Sequence, residues 1–398
     1  MDVADGGGYM SGVRVAGIGL THFGQHPERP SRDLFGEAGL AALDDAAIER
    51  EDVEALMYGN FMGEISDHQG HMGPLVAEAV GLDVPATRFE SACASSATAV
   101  REAVMNIRSG EQDVMLVGGA ERMTNISTPD ATEALALAAD DLYEVSAGMT
   151  FPGAYALMAR AYFEQYGGSR EDLAHIAVKN HYNALENEYA QYRREISTED
   201  VLDAPPVAEP LGLYDACPLT DGASAAVLVS EEYAEANGLD HYVAITGTGQ
   251  GGDKIALQDR EFLARTPAAR KAATEAYDDA GIAAEDVDVV EVHDCFTIAE
   301  VMATEALGLY EPGEGIAAAR EGETTREGPH PVNLSGGLKA KGHPVGATGT
   351  NQIAALTRLL RGDHPHSDAI ADSPTAVAHN AGGTAASTAI HVLEEVQS

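Results

Sequence analysis

One segment of the chain occurs twice. Residues 43–53 (LDDAAIEREDV) and residues 277–287 (YDDAGIAAEDV) share seven identical positions at a constant offset of 234 residues. Each copy has the pattern of an amphipathic helix, followed by a short loop and an apolar strand at residues 55–58 or 289–292. Because both copies must bury the same faces, the repeat constrains the fold strongly. It predicts an α/β protein built from two similar halves.

The repeat also sets the predicted domain boundaries. A further apolar strand precedes each helix, so the N-terminal half is expected at residues 12–240 and the C-terminal half at 241–398. Residues 125–210 are helix-rich and have no counterpart in the second half, which predicts an insertion that covers the site. Residues 1–11 are polar and Gly-rich, and they are expected to be a disordered extension.

The charge balance is extreme. The chain has 24 basic and 64 acidic residues, and its net charge of −40 is spread along the whole length. This argues against a nucleic-acid partner, because phosphate binding needs a basic surface, and against an acidic tail. Diffuse acidity with only five lysines is typical of proteins from salt-accumulating organisms, where molar salt screens the repulsion between like charges.

The cysteines and the apolar runs indicate a compartment. The three cysteines, at positions 93, 217 and 295, form no CxxC pair, which argues against a disulfide framework or a Cys-rich zinc site. No apolar run approaches the roughly 20 residues that span a membrane, and the first residues lack the features of a signal peptide. We therefore expect a cytoplasmic protein in a reducing environment.

Cys93 is the best candidate nucleophile. It lies in a run of small residues (SACASSATA) that is expected to open a helix, where backbone amides favour a thiolate. The alternative is a buried structural cysteine, since a free cysteine also packs as a small hydrophobic residue. Three further segments weigh against it: HDCF at 293–296, GHPVG at 342–346 and NAGG at 380–383. Two similar halves would bring such strand ends and helix starts to one central cleft.

Together these four segments resemble the thiolase family, in particular its sterol-carrier-protein-type or archaeal acetoacetyl-CoA branch. The resemblance covers residues 12–398 and includes YDACPLTDGAS at 214–224 and GMTFPGAY at 148–155. It implies the thiolase fold, with two pseudo-twofold-related α/β halves in αβαβα layers and a helical insertion. It also implies an acetyl-CoA C-acyltransferase that makes or cleaves acetoacetyl-CoA or another short 3-ketoacyl-CoA.

The resemblance implies a role for each of four residues. Cys93 would attack an acyl thioester with His343 as its base, and Cys295 would exchange a proton with the second acetyl-CoA. A base is needed because a free cysteine has a pKa near 8.5 and a helix terminus lowers it by about one unit at most. One oxyanion site would use His343 and a group held by His293. The other would use the backbone amides of Cys93 and Gly382.

The chain departs from the better-known thiolases at two motifs. Asn380 stands where they have the cysteine of a final Cys-x-Gly motif, and His293 with Cys295 stands where they have Asn-Glu-Ala-Phe. The second catalytic sulfur has therefore moved to another strand end. This supports a catalytic set of Cys93, His293, Cys295 and His343.

Other residues near these motifs have simpler interpretations. Cys217 is expected to be structural, and Asp294 is expected to anchor its loop by hydrogen bonds. His379 adjoins the site and has no assigned role. Lys339 and Lys341 are two of only five lysines. They are expected to contact a coenzyme A phosphate or a neighbouring carboxylate, and chance is the alternative.

One further motif matches a dinucleotide-binding pattern but lacks the other features of such a site. The GTGQGG sequence at residues 247–252 matches the dinucleotide-binding pattern GxGxxG. Such a site needs a helix directly after the glycines and an acidic residue about 20 positions on, and residues 253–260 show no helix start. No Rossmann cofactor is expected, and the thiolase resemblance implies no metal or redox cofactor.

The resemblance also bears on partners and on competing functions. It implies acyl-CoA substrates and a homodimer or tetramer. It further implies a small zinc-containing OB-fold partner, hydroxymethylglutaryl-CoA synthase of the mevalonate route, or a link to polyhydroxyalkanoate synthesis. Two alternatives remain open. One is a ketoacyl- or hydroxymethylglutaryl-type condensing synthase, which shares the fold. The other is a catalytically silent thiolase-like scaffold or lipid-carrier subunit.

Overall fold

Strands and helices alternate in the first part of the chain, as the repeat predicts. The computed structural model describes residues 12–239, 243–371 and 373–396, so the predicted extension at 1–11 lies outside the described residues. The elements of the first part are β1 (Val13–Leu20), α1 (Ser31–Ala46), β2 (Ala55–Gly59), α2 (Gly63–Ser66), α3 (Met72–Val80), β3 (Ala86–Phe89), α4 (Ser95–Arg108), β4 (Val114–Glu121), α5 (Thr128–Ala136), α6 (Phe151–Tyr166), α7 (Arg170–Asn183), α8 (Thr198–Asp203), β5 (Pro206–Ala208), β6 (Leu211–Gly212), β7 (Gly222–Ser230) and α9 (Glu231–Asn237).

The second part repeats the scheme with fewer elements. They are β8 (Val243–Gly252), α10 (Pro267–Ala280), β9 (Val289–Glu291), α11 (Thr297–Leu307), α12 (Gly315–Glu321), α13 (Thr348–Arg361), β10 (Thr375–Gly382) and β11 (Ser387–Glu395). Within the described ranges, no helix is both long enough and apolar enough to cross a bilayer.

The main sheet shows the duplication directly. Its nine strands run in the order β3-β2-β4-β7-β1-β8-β11-β10-β9, and β1 pairs antiparallel with β8 where the two parts meet. Outward from this junction, the first part has the antiparallel pair β4–β7 and then the parallel pair β2–β4. The second part has the antiparallel pair β10–β11 and then the parallel pair β9–β10. The strands therefore follow a pseudo-twofold arrangement.

The helices form the outer and central layers. α1 and α3 pack on one face of the first part of the sheet, and α10 and α11 pack on the outer face of the second part. α4 and α13 contact each other and strands from both parts, so they form a shared central layer. The resulting order is αβαβα, and the residue boundaries proposed for the two halves stay a prediction.

The GTGQGG segment lies inside β8 and forms no phosphate-binding loop. A Cβ atom on Gly247, Gly249 or Gly251 would lie 2.2, 2.0 or 1.9 Å from a backbone carbonyl oxygen of α10. Real side chains do not approach so closely, so these glycines let the helix backbone rest on the strand. This explains the motif without a nucleotide.

The insertion packs against the second part of the molecule. The two longest helices of the helix-rich segment are α6 and α7, and α7 ends at Asn183. Asn183 donates to the carbonyl of Asn333 (3.0 Å), which fixes the end of α7 against the chain that leads to the GHPVG segment. Apolar residues of α6 form a cluster with Cys295 and Phe296. The insertion therefore covers the segment predicted to carry the second thiol.

Candidate active site

Cys93 lies in a tight turn between β3 and α4. Ala92, just before it, has a left-handed backbone with φ of 49°, and the amide of Ala94 donates to the carbonyl of Ser91 (3.0 Å). The helix begins at Ser95, so the run of small residues opens a helix as predicted, and Cys93 lies in the turn just before it. Backbone strain of this kind costs about 1–3 kcal/mol and is typical of functional positions.

The environment of Cys93 keeps its sulfur protonated. Burial raises the pKa of the thiol to about 12, although the backbone N–H of Gly383 donates to the sulfur and lowers it. The lowering expected from a helix terminus is therefore outweighed by desolvation. A thiol with this pKa needs a base before it can act as a nucleophile.

His343 has the tautomer of a base. Its Nδ1 lies 2.7 Å from Oγ1 of Thr348, and that hydroxyl donates its own hydrogen to the carbonyl of Pro344 (2.9 Å). The hydroxyl oxygen must therefore accept from Nδ1–H, which leaves the lone pair on Nε2. Burial lowers the pKa of His343 to about 3, so the ring is neutral at neutral pH.

His293 has the opposite tautomer. The side-chain amide of Asn380 donates to its Nδ1 (2.9 Å), so the ring hydrogen is on Nε2. That Nε2 is buried without a hydrogen-bond partner among the described residues. Burial, and then the neighbouring rings of His343 and His379, lower the pKa of His293 well below its ordinary value. His293 therefore presents a neutral N–H donor.

The structure brings three of the four candidate residues to one point. The Cys93 sulfur and one ring nitrogen each of His293 and His343 lie within 4.8 Å of one another. The two imidazoles meet edge to face, with ring centroids 5.0 Å apart. A thiol, a basic nitrogen and an N–H donor thus surround one small space, which suits attack on a carbonyl group.

Family models identify the origin of this arrangement. The model described as "Thiolase, N-terminal domain" matches residues 13–232, and "Thiolase C-terminal domain-like" matches residues 249–395. The chain belongs to the thiolase family. The predictions of a thiolase fold and of a thiolase-type acyltransferase are confirmed.

Individual relatives agree with the family models. The chain is 40% identical to an acetyl-CoA acetyltransferase of Methanothermobacter thermautotrophicus over 385 residues, which cover 96% of this chain and 100% of that protein. It is 40% identical to an acetyl-CoA acetyltransferase of Methanocaldococcus jannaschii, over 97% of this chain and 100% of that protein. Among solved structures, an Ltp2-ChsH2(DUF35) aldolase superposes with a TM-score of 0.82 at 26% identity, over 96% of this chain and 98% of that chain.

Two adjacent glycines of this thiolase approach Cys93 in different ways. A Cβ atom on Gly382 would lie 2.2 Å from the carbonyl oxygen of Ser91, so glycine allows β10 to pack against the nucleophile turn. The N–H that donates to the sulfur belongs to Gly383. The oxyanion role expected for the amides of Gly382 and Cys93 stays a prediction. Gly383 is a donor that motif reading missed.

Cys295, the second candidate thiol of this thiolase, lies just before α11 under the insertion. The hydroxyl of Tyr155, on α6, hydrogen-bonds with its sulfur and also donates to the carbonyl of Gly383 (3.0 Å). Burial, and then the nearby Cys217 and Cys93, raise the pKa of Cys295 well above its ordinary value, and Tyr155 lowers it. Cys295 is therefore within electrostatic range of the nucleophile.

Two buried carboxylates hold the loops of the site in place. Glu121 accepts from the amides of Phe61 (2.9 Å) and Gly346 (3.0 Å), which ties the end of β2 to the GHPVG segment. Asp294 accepts from the amide of Leu338 (2.7 Å), in the segment that leads to His343. Burial raises the pKa of both carboxyls to about 7. The hydrogen bonds of Asp294 are those of an anchor.

The two lysines of the GLKAKG segment point inward. Lys341 lies 3.4 Å from a carboxylate oxygen of Glu291, which agrees with one of the two expected contacts. Lys339 donates to the carbonyl of Ala216 (2.5 Å). The side chains are 1% and 3% exposed, so neither reaches a coenzyme A phosphate in this conformation.

His379 adjoins the site through the backbone. It accepts at Nδ1 from the backbone N–H of His293 (3.3 Å), so it contacts the backbone beside the ring of His293.

The Cys93, His293 and His343 set does not suit a metal ion. Such an ion would need a lone pair from each of the three residues. The Nε2 of His293 carries hydrogen because Asn380 donates to Nδ1, so the set suits an anionic oxygen better than a metal.

Proposed function

We propose that this protein is an acetyl-CoA acetyltransferase that forms or cleaves acetoacetyl-CoA or another short 3-ketoacyl-CoA. One observation carries the proposal: the Cys93 thiol lies within 4.8 Å of a ring nitrogen of each of His293 and His343. The 40% identity to two archaeal proteins named acetyl-CoA acetyltransferase supports acetyl as the transferred group.

The first half-reaction acylates Cys93. His343 takes the thiol hydrogen at Nε2, because its Nδ1–H is held by Thr348. The sulfur then adds to the thioester carbonyl, and N–H donors stabilise the resulting oxyanion. Gly383 already donates at the sulfur, and the amides of Cys93 and Gly382 are the other proposed donors. Collapse of the intermediate expels coenzyme A, which takes the proton back from His343.

The second half-reaction forms the carbon–carbon bond. Cys295 passes its thiol hydrogen to Nε2 of His343 and, as thiolate, removes a proton from the methyl carbon of a second acetyl-CoA. The enolate oxygen is stabilised by the unpartnered Nε2–H of His293 and by the hydrogen that His343 now carries on Nε2. The carbanion attacks the acetyl group on Cys93, and the sulfur leaves and takes up the proton from His343. Thiolysis of a 3-ketoacyl-CoA is the same sequence in reverse, with Cys295 returning the proton.

The decisive experiment separates the two thiols. In Cys295→Ala, acetyl-CoA should still acetylate Cys93 stoichiometrically, as located by mass spectrometry, while thiolysis of acetoacetyl-CoA is lost. Cys93→Ala should lose both. A variant Cys295→Ala that retains carbon–carbon bond formation would point to a condensing synthase. Absence of any Cys93 adduct in the native protein would point to a catalytically silent scaffold.

We further propose that the protein works at high salt. The net charge of −40 over 398 residues supports this, because self-repulsion of that size needs screening. The free energy of unfolding should rise when KCl is raised from 0.1 M to 3 M, as followed by chemical denaturation at each concentration. Equal stability at the two concentrations would contradict the proposal.

The setting of the enzyme is also a proposal. The three free cysteines support a reducing cytoplasm. The superposition on the Ltp2-ChsH2(DUF35) aldolase supports a small partner protein. A homo-oligomer, an OB-fold partner and hydroxymethylglutaryl-CoA synthase remain proposals from family resemblance, as do the mevalonate and polyhydroxyalkanoate routes. Sedimentation of the purified chain, alone and with a co-expressed partner, tests the assembly.

A further inference from the structure

The catalytic steps leave Cys217 without a task, although it lies directly beside Cys295. Ala216 and Phe296 form an antiparallel bridge, and the amide of Cys217 donates to the carbonyl of Cys295 (2.9 Å). The residue after Ala216 therefore faces the residue before Phe296. Cys217 is half-buried and Cys295 is 6% exposed.

This pairing places the two residues opposite each other, as a disulfide requires. Directly opposed residues of an antiparallel pair have Cα atoms about 4.5–5.5 Å apart and side chains on the same face. Disulfides form at Cα separations of about 4.4–6.8 Å. The nearness of the two residues is also seen in the pKa of Cys295, which the nearby Cys217 raises more than Cys93 does.

A buried cation lies beside Cys217. Burial raises the pKa of the Cys217 thiol to about 12, and the charge of Lys339, whose ammonium group donates to the carbonyl of the neighbouring Ala216, offsets part of that rise. The thiolate is the form that reacts with oxidants. Cys217 is also the more exposed of the two residues, so it is the one that a small oxidant reaches first.

We propose that Cys217 and Cys295 form a reversible disulfide when the protein meets hydrogen peroxide. The Cys217 thiolate attacks one peroxide oxygen, the O–O bond breaks, and the hydroxide that leaves takes up a proton to form water. The Cys295 sulfur then attacks the sulfenic sulfur of Cys217, the S–O bond breaks, and the second oxygen leaves as water with the Cys295 proton. The two thiols lose two electrons and two hydrogens, and peroxide becomes two waters.

The disulfide would protect the second thiol. Cys295 oxidised alone can proceed to sulfinic acid, which is irreversible, whereas a disulfide returns to two thiols with a reductant. The expected loss and recovery of activity rests on the proposed function, because it assumes that Cys295 is catalytic. The cross-link itself does not depend on that function, so the two ideas fail separately.

Peptide mapping tests the cross-link. The full chain in high salt is freed of reductant, exposed to hydrogen peroxide, alkylated, and digested without reduction. A peptide pair joining Cys217 to Cys295, in a protein lighter by two hydrogen atoms, is the expected result. A disulfide that uses Cys93, or oxidation to sulfinic acid without any cross-link, would overturn the proposal.

Cys217→Ser is the matched control, since it removes one sulfur and keeps nearly the same side-chain volume. Its activity before oxidation should equal that of the native protein. After peroxide, dithiothreitol should restore most activity to the native protein and less than about one-tenth to Cys217→Ser. Equal recovery in both proteins would refute the protective role. Cys217→Ala provides the same comparison if the serine variant folds poorly.

Discussion

The hydroxyl of Tyr155 connects the surroundings of the two sulfurs that we propose to be catalytic. It donates to the carbonyl of Gly383 and also hydrogen-bonds with Cys295. The N–H of the same Gly383 donates to the sulfur of Cys93. Tyr155→Phe removes only the hydroxyl, and the new ring retains the stack on Phe296 at 4.6 Å between centroids.

We expect Tyr155→Phe to slow the second half-reaction about 10-fold, because the hydroxyl can turn from the carbonyl of Gly383 to donate to the Cys295 thiolate, and a hydrogen bond to a charged group contributes about 1.5–3 kcal/mol. The measurement is exchange of the acetyl-CoA methyl hydrogens in deuterated water, compared with the rate of Cys93 acetylation. Acetylation should change less than exchange. An equal loss in both steps would mean that the hydroxyl has a general structural role.

Thr348 is expected to set the tautomer of His343. Thr348→Val keeps the shape of the side chain and removes the acceptor of Nδ1–H. An unpaired buried donor costs about 1–3 kcal/mol, so kcat should fall about 10–100-fold. Thr357→Val is the control, because the buried Thr357 hydroxyl on the same helix has no partner among the described residues. A similar fall in both variants would contradict the assignment.

Motif reading located Cys93, His293 and His343 because residue type and neighbouring glycines are visible in the sequence. It missed Thr348 and Gly383, since their contributions depend on hydrogen-bond direction. It also misjudged the local pKa of Cys93, because helix termini can be inferred from sequence whereas the depth of burial cannot.

At the level of elements, each half has strand glycines that face small residues of a helix. Gly249 of β8 would place a Cβ atom 2.0 Å from the carbonyl oxygen of Ala272 on α10. Gly19 of β1 would place one 1.9 Å from the carbonyl oxygen of Ala38 on α1. The same strand–helix contact therefore occurs in both copies, at equivalent helix positions.

Gly249→Ala should lower the free energy of unfolding by about 1–3 kcal/mol, the usual cost of overpacking. Gly252→Ala on the same strand is the control, because its Cβ atom would meet nothing closer than 3.9 Å; its effect should stay within about 0.5 kcal/mol. Denaturant titration at fixed high salt measures both. Equal effects would show that the strand tolerates a side chain at the helix contact.

The two copies of the repeat end their helix differently. Gly281 closes α10 with φ of 72°, and Ala47 closes α1 at the equivalent position with φ of 52°. Glycine adopts this conformation freely, whereas alanine is strained there. Ala47→Gly should therefore raise the free energy of unfolding by about 1 kcal/mol, and Gly281→Ala should lower it by a similar amount. Denaturant midpoints that move in the same direction for both variants would contradict this.

The elements were predictable where periodicity was strong. The repeat located α1, α10 and their strands, since amphipathic spacing is a local property. Three features depend on tertiary contacts: the order of strands in the sheet, the ends of the insertion helices and the structural role of the GTGQGG segment. Spacing alone does not encode those contacts.

At the scale of the whole molecule, buried neutral histidines make stability depend on pH. Burial lowers the pKa of several to about 3 or 4: His181, His343, His364, His379 and His391. The unfolded chain binds protons at these positions below about pH 6.5, so it binds more protons than the folded chain. The free energy of unfolding should therefore fall as the pH drops from about 6.5 towards 4.

Four carboxyls act in the opposite direction, since burial also raises the pKa of Glu305 and Asp363. Glu121 and Asp294, with pKa values of about 7, bind protons in the fold before they do so in the unfolded chain. They are outnumbered by the histidines, so the net effect of acid is destabilising. Urea titrations at fixed salt between pH 7.5 and 4.5 check the sign, and constant or rising stability on acidification would contradict it.

The central helices α4 and α13 touch strands of both parts of the sheet. One copy of the repeated unit on its own would expose an inner sheet face and one side of its own middle helix to water. Such a unit is stable only when a second one lies against it, as in a symmetric dimer. Here the second subunit is carried on the same polypeptide, so the interface forms at a fixed one-to-one ratio and does not depend on protein concentration.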